Sequence, residues 1–350
     1  MAPRSKNETL HTEHWSDMKT KENKKILIVY NHDSSWIKDD IEMLRRHYGV
    51  ETFFYRYDKK RKKLSSLIKN CDVVYIWFAS YHGLKAARLG KRYKKKVITV
   101  ASGYSVANVP EQNYGLASKF YTRWIPKYII KNSDATMAVS EANKKEISLL
   151  MKSDVDIVTI PHGFNKDRYE LDKKIEREKM VITVGGLDMI SFKRKGVDKY
   201  MNIAKYFPDI PFVAIGKIND DVRGEIKNAP SNVEFTGFVS DQELLGFYQR
   251  AKAYAQFSFH EAFGCSVAEA MLCGCVPVVT RTASLPEVVG DRGFYVPYWD
   301  EGAAVEAVDK ALNASEELGE KARDRIAGKF SLGKREEKLV ELIEETVRRI

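Results

Sequence analysis

The sequence predicts an α/β protein built from two parallel-sheet units that face each other across a cleft. From residue 25 onward, short and continuously apolar strands alternate with longer amphipathic stretches, the pattern of strands covered by helices on both faces. The alternation stops at Pro161-His162-Gly163, crosses a polar stretch and starts again at Met180. A chain of 350 residues, 44% hydrophobic and 30% charged, is long enough for two such cores.

Residues 1–24 are polar throughout and read as a flexible tail. The first unit, 25–164, opens with a strand at 26–30. A helix follows over 36–48, where Ile37, Ile41, Leu44 and Tyr48 recur at helical spacing. Further strands are expected at 51–57, 73–78, 97–101, 135–139 and 157–160. The segment 165–178 is charged and lacks a clear buried face, so it reads as the linker. In the second unit, 179–332, strands are expected at 180–184, 212–215, 233–235, 253–255 and 276–280. The closing segment 333–350 reads as an amphipathic helix with Leu339, Leu342, Ile343 and Val347 on one side. Ligands of open parallel sheets bind at the carboxyl ends of the strands, which directs attention to the loops after Val184, Ile215, Phe235 and Ala255.

The net charge of +10 is unevenly placed. Through residue 165 the chain carries 30 Lys and Arg against 17 Asp and Glu; the remainder carries 28 against 31. The densest runs lie at 59–63 and 91–96. One-sided basicity points to an anionic partner, with membrane headgroups or a lipid phosphate ahead of nucleic acid. Most aromatics of 51–57 and 120–128 are expected in the core, with contact to lipid or sugar as their other use. No apolar run approaches the ~20 residues that span a bilayer, and the start lacks a signal-peptide core. A cytoplasmic chain, peripheral where its basic half meets a membrane, is therefore expected. Four cysteines, at 71, 265, 273 and 275, are too few for a disulfide framework, and Cys273-Gly274-Cys275 reads as small residues packed beside a turn.

The segment 260–280 has the logic of loop, helix, turn and strand. Gly264 permits close backbone approach, and Ser266 and Val267 are expected to present free N–H groups at a helix start, a seat for phosphate. Glu261 precedes this helix and Glu269 lies within it. One carboxylate can then face the reacting group while the other reaches a neighbouring polar part of the ligand.

On Glu261, Phe263, Gly264, Glu269, Gly274 and Pro277 the segment resembles the retaining glycosyltransferases of the GT-B fold, specifically glycosyltransferase family 4, also called group 1. The resemblance implies two Rossmann-like domains, a donor site in the second, an acceptor site in the first, and a last helix that crosses back to the first. It implies that Glu261 contacts hydroxyls of the donor sugar, Glu269 bonds the nucleotide ribose, and the backbone of Phe263, Gly264, Cys265, Ser266 and Val267 holds the diphosphate. A second match runs from Gly185-Gly186-Leu187 to Lys195-Gly196-Val197-Asp198. Lys195 stands at the lysine of the family's diphosphate-neutralising pair, whereas Gly186 stands where the family usually has arginine. Lys193, Arg194 and Lys217 are the alternatives for that second cation. Gly237, Phe238 and Val239 match the segment that passes the nucleobase. Shorter matches occur at Val139-Ser140, at 160–165 and at 285–290.

The first unit matches only in outline. Asn31 occupies the loop where relatives often carry a glycine pair, and Ser102-Gly103-Tyr104 stands where they often have a histidine before glycine. Asn31, His82, Gly103 and Tyr104 are the acceptor-side candidates. Asp154-Val155-Asp156 looks like the metal-binding motif of the other major glycosyltransferase fold but reads as a solvated turn. The resemblance implies no catalytic metal and no cofactor, with a nucleotide-diphosphate sugar as the donor substrate. Activity is thus expected to be transfer of a sugar, with retention of configuration, to a lipid-linked or glycan acceptor. The alternatives are a catalytically silent nucleotide-sugar-binding subunit and an epimerase of the same fold. Nucleotide, sugar, acceptor and oligomeric state are left open.

Overall fold

The computed structural model describes residues 24–55, 61–153, 155–172 and 174–349. Nearly all of the tail read at 1–24, Lys59 and Lys60 of the basic run at 59–63, and Asp154 lie outside the described residues.

The first sheet has six strands, β1 (Lys25–Tyr30), β2 (Gly49–Phe54), β3 (Val73–Trp77), β4 (Lys96–Val100), β5 (Ala135–Ala138) and β6 (Ile157–Thr159). The second has β7 (Glu178–Val184), β8 (Phe212–Ile215), β9 (Val233–Gly237), β10 (Ala251–Gln256), β11 (Val276–Thr280) and β12 (Phe294–Val296). The strand orders are β2-β1-β3-β4-β5-β6 and β12-β11-β10-β7-β8-β9, with every pairing parallel. Fully buried strands such as β3 and β11 are apolar because helices cover both their faces. The short edge strand β12 is not among the expected strands, since three residues are too few to carry a periodic signal. The first helix ends at Arg45, and Tyr48 reaches the core from the turn beyond it.

Each order reverses once, between β1 and β3 in the first sheet and between β7 and β10 in the second. At such a switch point adjacent loops diverge to opposite sides and leave a crevice at the carboxyl ends. The run at 91–96 lies at the other end of the first sheet, because Lys96 begins β4.

Two neighbouring chain crossings join the units. The Phe164 amide donates to the Phe330 carbonyl at 2.8 Å, and Leu332 donates back to Phe164 at 3.2 Å. The last helix, Leu332–Arg348, then packs Leu339, Leu342 and Ile343 into the first unit, beside the helix Ser35–Arg45. Arg335 secures it with a bidentate pair to Asp40, at 2.7 and 2.8 Å, both side chains being buried. The same guanidinium donates to the carbonyls of Ile160 and Pro161 at 3.0 and 2.8 Å. Helix, first strand layer and crossover are thereby fixed at one point.

Candidate active site

The second sheet's switch point gathers side chains from the loops after β7 and β10. After β7, Asp188 caps the short helix Met189–Lys195, which ends at Gly196. Its last residues lie along the segment after β10, where Phe257 and Phe259 donate to the carbonyls of Lys195 and Arg194 at 3.2 and 3.1 Å. Both cations are thus placed beside Glu261. Arg194 Nη1 pairs with Glu261 Oε1 and lies 3.3 Å from the His260 carbonyl. Lys195 Nζ is 3.6 Å from the same carboxylate oxygen, 3.1 Å from Gln256 Oε1 and 3.2 Å from Ser266 Oγ. Its stem passes over Gly185, where a Cβ would lie 2.4 Å from it.

Burial works to raise the Glu261 carboxyl, but Arg194 and Lys195 outweigh it and hold the group at about 2. For Lys195 burial prevails and lowers the ammonium, with Glu261 opposing. Gln256 Nε2 also donates to Glu261, at 2.9 Å, and the Tyr254 hydroxyl donates to Gln256 Oε1 at 2.8 Å and lies 2.9 Å from Ser266 Oγ. The result is a largely buried carboxylate with two cations, which has a positive face for an anion and an acceptor face for hydroxyl groups.

The helix Cys265–Leu272 starts beside this cluster. Gly264 has φ +101°, and a Cβ there would lie 2.9 Å from Leu285, so the approach requires glycine. One expectation needs correction. The Val267 N–H is already bonded to the Gly264 carbonyl at 3.1 Å, as first-turn amides can be, so the seat is left to the amides before it. The Phe263 ring is 2% exposed and packs edge-on to His162 and Phe330, at 5.2 Å from each, so its side chain belongs to the core while the expectation for this residue concerns its backbone. Cys265 remains half-buried at the pocket between the units.

Glu269 accepts from Tyr248 at 3.0 Å and from Tyr169, and burial raises its carboxyl against those bonds. With Cys265 it lines a pocket completed by Trp36 and Asp39 of the first unit and by Arg168 and Tyr169. Burial also raises Asp39, to about 6, with Arg168 opposing. The stretch read as a linker without a buried face therefore supplies site walls. Gly237 ends β9 at φ +74°, followed by Phe238, which is 80% exposed, and by half-buried Val239.

Of the candidate second cations, Arg194 is the one that lies against Glu261 beside Lys195. Lys193 turns outward to Asp198 and Glu225, at 3.2 and 3.8 Å, and Lys217 is exposed after β8. Gly186 leaves space, since a Cβ there meets only Asp188 Oδ2, at 3.6 Å.

On the facing unit, Asn31 is exposed after β1 at the first sheet's switch point. Gly103 and Tyr104 follow β4, and Tyr104 stacks edge-on to Tyr114 at 5.3 Å. Tyr114 in turn reaches Phe259 and His260 across the crevice, at 5.5 and 5.3 Å. His260 meets Glu146 of the first unit at 2.6 Å, and Ser140 donates to the Ala262 carbonyl at 2.7 Å, which seats the Glu261 loop between the units. His82 is a correction. It is 2% exposed, its ring nitrogens are held by Ser80 and the Trp77 carbonyl at 2.8 and 2.6 Å, and burial lowers it to about 4. A ring engaged at both nitrogens has no group left for a ligand.

Sequence reasoning did not single out Gln256, Tyr254, Tyr248, Arg168 or Tyr169. A signal existed for two of them: Tyr254 and Gln256 alternate with alanines along β10 and so share one face. Asp156 pairs with Arg349 at 2.7 Å on the surface, and the Cys275 thiol is buried with its hydrogen bond to the Tyr248 carbonyl at 3.0 Å. Among the described residues, no group of three or more His, Cys, Asp or Glu is placed to hold a metal ion. No helix of the described residues is long and apolar enough to cross a membrane.

Residues 166–344 match the family described as glycosyl transferases group 1. The O-antigen chain mannosyltransferase B of Escherichia coli is 43% identical over 61 residues, 17% of this chain and 16% of that protein. The processive diacylglycerol alpha-glucosyltransferase of Acholeplasma laidlawii is 25% identical over 211 residues, 55% of this chain and 61% of its own. The matches thus span less than two thirds of these relatives' lengths. Among solved structures, Anabaena Alr3699/HepE in complex with UDP and glucose superposes with a TM-score of 0.73 at 15% identity, covering 92% of this chain and 100% of that one. Sucrose-phosphate synthase from Thermosynechococcus elongatus gives 0.75 at 15% identity, covering 92% and 99%. These likenesses and the two parallel sheets make the fold GT-B, and the chain belongs to the family of glycosyl transferases group 1.

Proposed function

We propose that this chain is a retaining glycosyltransferase of family 4 that transfers a sugar from a nucleotide-diphosphate donor to an acceptor hydroxyl held by the first unit. The observation that carries the reading is the meeting of Glu261, Arg194 and Lys195 beside a glycine-started helix at the switch point of the second sheet. The nucleotide-sugar donor is supported by structural neighbours solved with UDP and glucose and with UDP-glucose. The relative named for diacylglycerol supports a lipid acceptor, and the O-antigen mannosyltransferase supports a glycan one.

In this reading the diphosphate lies between the two cations and the amides at the start of the helix Cys265–Leu272. As the bond from the anomeric carbon to the phosphate oxygen breaks, the departing diphosphate gains charge, and fixed cations in a largely buried site stabilise it without reorganising. Glu261, ionised well below neutral pH, accepts from hydroxyls of the donor sugar. Glu269 faces the ribose, and Gly237, Phe238 and Val239 pass the base. The acceptor hydroxyl attacks from the face the phosphate leaves, and its proton goes to the departing phosphate oxygen. No protein nucleophile is required. Closure of the two units, hinged at the paired crossings near Phe164 and Ser331, excludes water from the donor.

A thermal-shift screen of UDP-, GDP- and ADP-sugars on the native chain, Glu269→Ala and Lys195→Ala tests the donor site. One donor should stabilise the native chain, and both substitutions should weaken the shift. Slow donor hydrolysis, abolished by Lys195→Ala, separates an enzyme from a binding subunit; tight binding without turnover on any acceptor would favour the subunit.

A further inference from the structure

The first unit carries a surface that the donor chemistry does not use. Residues 73–110 contain seven Lys and Arg and no Asp or Glu, and residues 112–133 contain four and none. The structure brings these stretches together as two helices, Tyr81–Arg92 and Trp124–Lys131, packed side by side on one face of the sheet. Arg88 lies over the Tyr128 ring at 6.0 Å, and Lys91 donates to Asn132 at 2.8 Å, which ties the two helices along their length.

Their outward stripes have the same order. On the first helix Tyr81, Lys85, Arg88 and Arg92 recur at helical spacing; on the second, Trp124, Lys127 and Lys131 do. The inward positions, among them Ala86, Ala87, Ile125, Ile129 and Ile130, are core. Exposed aromatics gather at one end. Phe120 is 86% exposed, Tyr81 59%, Tyr121 58% and Trp124 52%. Tyr81 begins shortly after β3 ends, and the second helix runs toward the start of β5, so this aromatic end lies at the carboxyl side of the sheet, where the crevice opens. Cations occupy the rest of the strip. A row of aromatics beside lysines and arginines without intervening acids suits the boundary between acyl chains and anionic headgroups.

We propose that the paired helices Tyr81–Arg92 and Trp124–Lys131 are a docking face for an anionic lipid bilayer, with Phe120, Tyr121 and Trp124 entering the interface and the cations facing the headgroups. The expected charge partner moves accordingly from the run at 91–96 to the whole strip, since Lys91 and Lys96 are already engaged with Asn132 and Asp134. Docking in this way holds the crevice close to the membrane surface.

The test is sedimentation of the whole chain with vesicles of phosphatidylcholine alone or mixed with phosphatidylglycerol, at low and high salt. Native protein should bind the anionic vesicles, and binding should weaken with salt. Lys127→Glu/Lys131→Glu should lower partition at least about 30-fold, at roughly fivefold per cation lost. Phe120→Ser/Trp124→Ser should lower it as well, while Lys227→Glu on the second unit should not. A second measurement does not depend on disruptive variants: Trp124 emission should shift to the blue on adding anionic vesicles, and the shift should be absent from Trp124→Phe. Failure of native protein to bind anionic vesicles, unchanged binding of the strip variants, or binding to RNA with none to vesicles would overturn the proposal. Donor binding by the same native preparation is read independently, so such a failure leaves the transfer reading standing.

Discussion

Arg194→Met asks whether this side chain does the work that the family assigns to an arginine at position 186. Methionine keeps much of the stem and removes the charge. In the structure Arg194 uses Nη1 for Glu261 and the His260 carbonyl, and a guanidinium has five N–H donors in all. Loss of a charge-assisted contact to a phosphate costs about 1.5–3 kcal/mol, so the donor should bind roughly 10- to 150-fold more weakly. The substitution also changes Glu261, whose burial is then opposed chiefly by Lys195 at 3.6 Å. Its carboxyl should move up from about 2. A carboxyl held that low stays ionised in the native protein as the pH falls from 7 to 4, so Glu261 imposes no acid limb on donor binding there. In the variant that limb should shift to higher pH. The assay is calorimetric titration with the donor found in the thermal-shift screen, at pH 7 and at pH 4.5. Gly186→Arg in the Arg194→Met background should restore most of the affinity, since a Cβ at 186 has room. Donor affinity within twofold of native for Arg194→Met, at both pH values, would refute the assignment.

Lys195→Ala should lower turnover of the donor about 10²- to 10³-fold, measured as nucleotide release, because it removes one fixed donor to the leaving group. Arg335→Met should cost about 3–5 kcal/mol in urea unfolding, since it leaves Asp40 buried at 0% exposure without its cation. Adding Asp40→Leu should recover part of that loss, whereas full additivity of the two costs would contradict a paired role. Asp39 is raised from 3.8 to about 6, so the folded state takes up its proton first, and stability should rise as the pH falls from about 6 toward 3.8. Asp39→Asn should flatten that part of the melting-temperature profile relative to native, and an unchanged profile would show that burial does not hold the group there.

The sequence by itself determined the two parallel sheets, because a strand covered on both faces must be apolar along its whole length and β3 and β11 read that way at once. It also determined the local geometry around Glu261, Gly264 and Glu269, because a helix start and the residues just before it lie within one short stretch of chain. Pairings between distant residues needed the tertiary structure. Arg194 and Glu261 are 67 residues apart, and Asp40 and Arg335 are 295 apart. Nothing in the composition of either local segment says which of Lys193, Arg194 and Lys217 will face the carboxylate; the turn of the helix Met189–Lys195 against the segment after β10 decides it. The same holds for His82, which sits in a segment that looks exposed and which packing turns inward. The basic first half was visible as a sum of charges, but its direction was not. Only the pairing of two helices aligned its cations into one strip and left Phe120 and Trp124 outside the core, because side-chain direction depends on which face the sheet has already claimed.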